Sequence, residues 1–506
     1  MAPRSPSPAG RVILVPFDQL HRDRGALRDA DPERDQVLLV ESESMLRSRT
    51  WHAQRLHLVL SAAAHLAQEL RDAGFEVHEV SARTVVDGVA AMRARRPGAV
   101  VVATHPRSRA LASALEHSGV ALVPDDSFLT TPEQFAEWSR GRIPVMEGFY
   151  RWQRTRLDLL MESGRPIGGQ WNFDADNRLP PPKGTHPWPT PLVHAQDAID
   201  RAVWEGIVAR GLPVVGDPPS GVWATTRTGA LRQLEHFVET GLAGFGPYED
   251  AVPRDTWTAN HSLVSTYLNI GLLHPDEVIA AAVARFESGG IPLPSIEGFV
   301  RQVAGWREYV RGVYWATPPD YENRNDLDAD LPLPAAFEDP DRTRMQCVGA
   351  TVRDVHARGW THHIPRLMIL ANIALTAGVR PQELLAWMRR MFVDASDWVM
   401  VPNVIGMGAH ADGGMMMTKP YASGGAYLKR MTRYCGTCPF DPTKRTGDDA
   451  CPFTTLYWDF LDRNRDRFAG NQRMAQQIAG LKRLTDLDEV RVRAEQVRAG
   501  LVAGTI

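Results

Sequence analysis

Three of the four cysteines in this 506-residue chain fall in one polar, turn-rich loop, "YCGTCPFDPTKRTGDDACP", from Tyr434 to Pro452. Cys435 and Cys438 are spaced Cys-x-x-Cys, which lets both sulfurs reach one metal centre. Cys451 follows with a proline behind it, and Cys347 stands far upstream, at the head of the helical stretch "CVGATVRDVHARGW". Four thiolates serve a structural zinc and an iron–sulfur centre equally by number and spacing. The Cys-Pro pair leans slightly toward iron–sulfur. A dithiol redox pair is disfavoured, because its Cys-x-x-Cys belongs at the strand–helix junction of a βαβ fold. The polarity of the loop argues against four unrelated buried thiols.

A second pair of residues can move protons. His362 and His363 are adjacent in "WTHHIPRLM", and an imidazole titrating near neutrality can act as a general acid. By residue type alone, two helical histidines are more often packing or capping residues. The net charge of −3 excludes a globally basic protein. A nucleic-acid surface must then be a local patch, from runs such as "KRMTRY" or "RNRDRF", whose default reading is a solvated helix face. The composition, 43% hydrophobic and 23% charged, is that of a globular protein with ample length for a large core. No apolar run is long enough to span a bilayer. The opening "MAPRSPSPAG" carries no secretion signal, so a cytoplasmic protein without structural disulfides is expected.

The elements that position these residues fall into three parts. From residue 10 to 128 strands alternate with helices: "RVILV", "QVLLVE", a long amphipathic "HAQRLHLVLSAAAHLAQELRDAGF" ended by Gly74, "EVHEVSA", "AVVVATH" and "ALVPDD". This predicts an α/β domain with a parallel sheet and right-handed crossovers. Its ligand is expected past the carboxyl ends of the strands, beside "PFDQL" and "ESES", without a glycine-rich phosphate loop. Residues 129–218 contain "RLPPPKGTHPWPTP", which cannot continue a helix or a central strand and reads as an interdomain linker. Residues 219–500 read as a large all-helical domain, with Pro381 suited to a first helical turn.

Long stretches of the sequence resemble the bacterial iron–sulfur photolyases and cryptochromes, the prokaryotic (6–4) photolyase group. They are "WTHHIPRLMILANIALTAG", "DWVMVPNVIGMGAHADGGMMMTKPYASGGAYLKRMTRYCGTC", "GGQWNFDADNRLP", "HSLVSTYLNIGLL", "GWREYVRGVYW" and "CPFTTLYWDFLDRNRDR". The likeness spans essentially the whole chain. It implies an N-terminal antenna-binding domain, a helical domain holding FAD, and light-driven repair of (6–4) photoproducts in UV-damaged DNA by a monomeric enzyme. It also implies a [4Fe–4S] cluster on Cys347, Cys435, Cys438 and Cys451, and a lumazine antenna, 6,7-dimethyl-8-ribityllumazine. His362, His363 and Tyr421 match the lesion-contacting residues. Ser262 and Ser265 suit phosphate contacts, and Gln302, Arg307 and Arg366 can reach phosphate, ring edge or lesion. Asp394 and Asp397 lie where the superfamily places carboxylates, and Trp387 matches an electron-transfer tryptophan.

Three departures open a second reading. The family's tryptophan ahead of the first cluster cysteine is absent, with Asp339 or its neighbours in its place. Met388 follows Trp387 where tyrosine is usual, and Met400 replaces an acidic residue of the "WVELPN" pattern. "VPFDQL" and "WHAQR" also differ from the usual antenna-domain strings. A cryptochrome-type blue-light receptor with little repair activity would carry such changes, as would a repair enzyme with a rerouted electron path.

Overall fold

The computed structural model describes residues 10–141 and 143–506. Most of the stretch read as carrying no secretion signal lies outside the described residues. The first part is built on six strands, β1 (Val12–Leu14), β2 (Gln36–Ser42), β3 (Trp51–His52), β4 (Glu76–Ala82), β5 (Val101–Thr104) and β6 (Ala121–Val123). Five of them form a sheet in the order β4-β2-β1-β5-β6, and every pairing is parallel. β3 pairs instead with Val214–Val215.

Side chains alternate across a strand, and the sheet uses both faces. Ile13, Val37 and Leu39 enter one core with the helix Ala53–Asp72. Val12, Leu14, Leu38 and Val40 enter another with Val89, Met92 and Leu115 of the helices Val85–Arg95 and Arg109–His117. Burial on both faces explains why these strands read as unbroken apolar runs. Gly74, just past the long helix, adopts φ 90°, as the expected helix stop requires.

The stretch expected as a linker is only partly one. Helices Pro132–Ser139, Met146–Arg156 and Ala198–Ala209 occupy it, and Phe135, Phe149 and Tyr150 are buried. Arg154, fully buried, donates to the carbonyls of Leu159, Leu160 and Trp171. The proline rule marked only residues 178–191, which form neither helix nor strand. The amphipathic segments around them supply aromatic side chains to the cores.

Beyond residue 219 the chain is helical as read, and Pro381 opens the helix Pro381–Met391. Three wider π-helical turns interrupt the helices, at Arg301–Arg307, Pro365–Ala371 and Pro402–Gly408. Such turns re-aim side chains and are frequent at functional sites. They hold Gln302, Arg307 and Arg366. Among the described residues no helix is long and apolar enough to cross a membrane.

Candidate functional site

The adjacent histidines sit in different surroundings. His362 is buried, and neither ring nitrogen has a hydrogen-bond partner. His363 is half exposed, and its Nε2 lies 3.3 Å from Asp250 Oδ1. A third histidine joins them. The His261 ring stacks on His362 with centroids 4.2 Å apart and planes 25° from parallel, and ring nitrogens of all three lie within 4.8 Å of one another. Burial pushes His261 down to about 3, with the charge of His363 acting the same way. Burial, then the charges of His261, His363 and Arg366, hold His362 well below the usual imidazole range. Near neutral pH those two rings are uncharged, and His363 is the one of the three that faces a carboxylate.

His261 was not singled out from the sequence. Its loop is marked by backbone: Ala259 (φ 45°) and Leu263 (φ 63°), on either side of it, are both in the left-handed region. A bulky residue there costs energy, and such strain clusters at functional sites. No residue-type pattern announces it.

Tyr421 belongs to the same neighbourhood. Burial raises its hydroxyl pKa, and Asp174 and Asp250 add to the effect. Tyr427 is raised by burial and again by Asp250. Nearby, Leu179 to Lys183, Tyr248, Arg430 and Arg433 line an open groove of about 430 Å³. The proline-rich segment thus forms a wall of a basic groove.

A second nest gathers three of the expected cofactor residues. Arg366 makes a bidentate pair with Asp394, at 2.9 and 3.0 Å, and Ser265 Oγ donates to the same carboxylate at 2.7 Å. Asn269 donates to the Asp394 carbonyl and Arg366 Nε to the Thr361 carbonyl. Trp387 connects through packing: its ring meets Phe392 edge-on at 5.9 Å, and Phe392 lies 4.2 Å beneath the Arg366 guanidinium. Phe337, two residues before the Asp339 position, packs against Trp387 at 4.9 Å and accepts its Nε1–H. Met388 and Met400 are both buried in that core.

Other expected cofactor residues lie apart. Gln302 donates to buried Glu249. Ser262 is held at its carbonyl by Gln233. Asp397 pairs with Arg389, which also pairs with Glu322, in a partly exposed network. Arg307 faces the α/β domain: its guanidinium lies 4.1 Å from the Phe128 ring, beside Arg107 and Arg311, and pairs with Glu308 at 2.7 Å. Burial lowers it to about 10. Arg307, read from the sequence as able to reach phosphate, ring edge or lesion, thus lies in an interdomain cluster apart from Arg366.

The four cysteines converge. Cys347 opens the helix Gln346–Arg358, Cys435 starts a short 3-10 turn, and Cys451 caps the helix Pro452–Arg463. All are free thiols, gathered at one core. Burial, then the nearby charges of Cys451, Cys438 and Cys435, raise Cys347 well above the usual thiol range. Burial pushes Cys451 up to about 12. Buried thiols that would repel one another as thiolates are what a bound cation stabilises. Among the described residues, the groups of metal-ligating atoms within 4.8 Å of one another contain no cysteine.

The crevice where the sheet order reverses, between β1 and β5, is closed, against the expectation of a pocket there. Gln19 donates to the His105 carbonyl, Arg107 to those of Asp18 and Asn269, and the backbone of Leu20 to Ile270. The cavity left is about 10 Å³, room for about one water. Glu41 and Glu43 of "ESES" are tied to Arg210.

The fold, a parallel α/β domain joined to a large helical one with four converging thiols, has matches among known proteins. A family model described as "Deoxyribodipyrimidine photo-lyase-related protein" matches residues 13–223. A (6-4) photolyase of Agrobacterium fabrum is 37% identical over 498 residues, which cover 94% of this chain and 96% of that protein. An uncharacterised protein of Acanthamoeba polyphaga mimivirus is 33% identical over 103 residues, 20% of this chain and 76% of that one. The crystal structure of a bacterial class III photolyase from Agrobacterium tumefaciens superposes with a TM-score of 0.62 over 99% of each chain at 17% identity, a likeness of fold. The chain belongs to the photolyase-related family.

Proposed function

We propose that this protein is a light-driven DNA photolyase that repairs (6–4) pyrimidine–pyrimidone photoproducts. The observation that carries the reading is the histidine nest: a half-exposed His363 facing Asp250, backed by two neutral, buried rings. Family membership implies a flavin, FAD. Polar groups suited to it are buried and unpartnered in this region, both nitrogens of His362, Nε2 of His261 and Nε1 of Trp360. Arg366, Asp394 and Ser265 would hold the cofactor, with Ser262 and Gln302 as outlying contacts. Reduced, light-excited FAD supplies the electron the repair requires.

The chain's own residues do the rest. A lesion flipped from the duplex costs a few kcal/mol, less for a damaged base. Lys183, Arg430 and Arg433 would neutralise phosphates along the groove, and Tyr421 would contact the lesion. His363 holds a proton at Nε2 beside Asp250 and delivers it as the misplaced group returns. His362 and His261, uncharged and packed together, fix its position and exclude water.

The convergence of four thiols, two of them buried, supports a [4Fe–4S] cluster on Cys347, Cys435, Cys438 and Cys451. Anaerobically purified protein should then hold about four irons per chain.

The enzymatic reading is tested by illuminating the reduced protein with oligonucleotides carrying one (6–4) photoproduct. Restored bases are expected. Absence of repair at every light dose, with FAD bound and reduced, would sink it. Met388 and Met400, both buried near Trp387, favour the photoreceptor as second reading. Light-driven flavin reduction and lesion binding without repair would support it.

A further inference from the structure

Far from the cysteines, His21, Asp23 and His274 bring a ring nitrogen, a carboxylate oxygen and a ring nitrogen within 4.8 Å of one another. His21 and Asp23 follow β1 in the α/β domain, and His274 precedes the helix Pro275–Glu287 of the helical domain. Both histidines are buried, at 3% and 1% exposure, while the Asp23 side chain reaches solvent. Their rings meet edge to face, with centroids 5.2 Å apart.

Hydrogen bonding leaves these rings incomplete. His21 Nε2 lies 3.3 Å from Ser127 Oγ, and His274 Nε2 lies 3.4 Å from Asp23 Oδ1. Each Nδ1 is buried with no partner. An imidazole that donates through Nε2 keeps a bare lone pair on Nδ1, and burying it unpaired costs free energy.

The local charges point the same way. The cations around the pair have acids of their own: Arg107 with Asp125, Arg24 with Asp276 and Arg227 with Glu277. Among the described residues, the ion pair of Asp23 is with His274 and not with an arginine or lysine. The backbone is also shaped to the site. Gly271, at φ 89°, turns against the His21 ring, and a Cβ there would stand 2.9 Å from His21 Cδ2.

We propose that His21, Asp23 and His274 form a zinc site that ties the α/β domain to the helical domain. Two imidazoles and a carboxylate are a common zinc set, with the fourth position left to water. Tetrahedral zinc draws its ligand atoms to about 3.3–3.5 Å of one another, a side-chain closure of the order of an ångström. The ion would sit between His274 Nε2 and Asp23 Oδ1, already 3.4 Å apart, with His21 as the third ligand. Its ligands come from both domains, so its bonds add to the Arg24–Asp276 contact across the same boundary.

The test titrates zinc chloride into chelator-treated holoenzyme, measuring zinc and iron per chain after desalting and the unfolding temperature. Wild type should retain one zinc equivalent that Asp23→Asn and His274→Ala do not, with iron unchanged. Zinc should raise the unfolding temperature of wild type alone. Asp23 is exposed, so Asp23→Asn remains informative if His274→Ala misfolds. It should bind at least tenfold more weakly. Equal zinc retention by wild type and Asp23→Asn would overturn the proposal, as would wild type that retains none. Zinc taken up by the His261, His362 and His363 nest would persist in both variants and counts against this site.

Discussion

Two polar nests in the helical domain are built by opposite rules. Around Asp394, both carboxylate oxygens are engaged, by Arg366 and Ser265, and the Arg366 guanidinium is itself bonded and stacked. Around His362, both of its ring nitrogens and Nε2 of His261 are buried with no partner among the described residues. A satisfied buried network holds its shape without help. Bare buried polar atoms persist only where surrounding structure is strong or a ligand completes them. The first nest is a frame, and the second is a place of work.

The largest expected effect breaks the frame. Asp394→Ala leaves the half-buried Arg366 without its charged partner, and unfolding in urea should show a loss of about 2–3 kcal/mol. A loss below about 1 kcal/mol would mean the nest is wet and its pairing incidental.

The next effect concerns acid. His261 and His362 have folded pKa values depressed by burial, the first to about 3, while a free imidazole titrates near 6.5. Between those values the unfolded chain binds protons the folded chain refuses. Stability is therefore full above about pH 6.5 and falls as pH drops through that window. His261→Phe should reduce the acid slope by up to about 1.4 kcal/mol per pH unit. An unchanged slope would place His261 in water.

The smallest effect sharpens the contrast. His362→Phe removes a polar ring that has no partner to strand, so stability measured at pH 8 should change by less than about 1 kcal/mol. The same class of change at Asp394 costs several times more if the two nests differ as described.

How legible each nest was from sequence follows from its physics. The cysteine set could be read from types and spacing, because ligation restricts both. The sheet could be read because burial on both faces leaves continuous apolar strands such as "VVVAT". Residues 132–139, 146–156 and 198–209 were obscured by the prolines between them, although their faces are ordinary amphipathic helix. Asp394, Arg366 and Ser265 are far apart in the chain and meet only through a π-helical turn, which has no residue code. His261 was hidden for a similar reason, since it is placed by left-handed backbone at Ala259 and Leu263. The closed crevice beside Gln19 and Arg107 could not be foreseen, because the switch-point rule locates a crevice without saying what fills it.

The central claim is that the bare nest performs the chemistry and that His363 carries its proton. Repair of a (6–4) photoproduct by reduced His363→Ala under saturating light, with FAD, iron and lesion-DNA affinity measured on the same preparation, tests it most directly. A loss of about 10²–10⁴-fold in repair with the other three retained is predicted. Repair within a few-fold of wild type, or activity lost only in step with FAD, would contradict it.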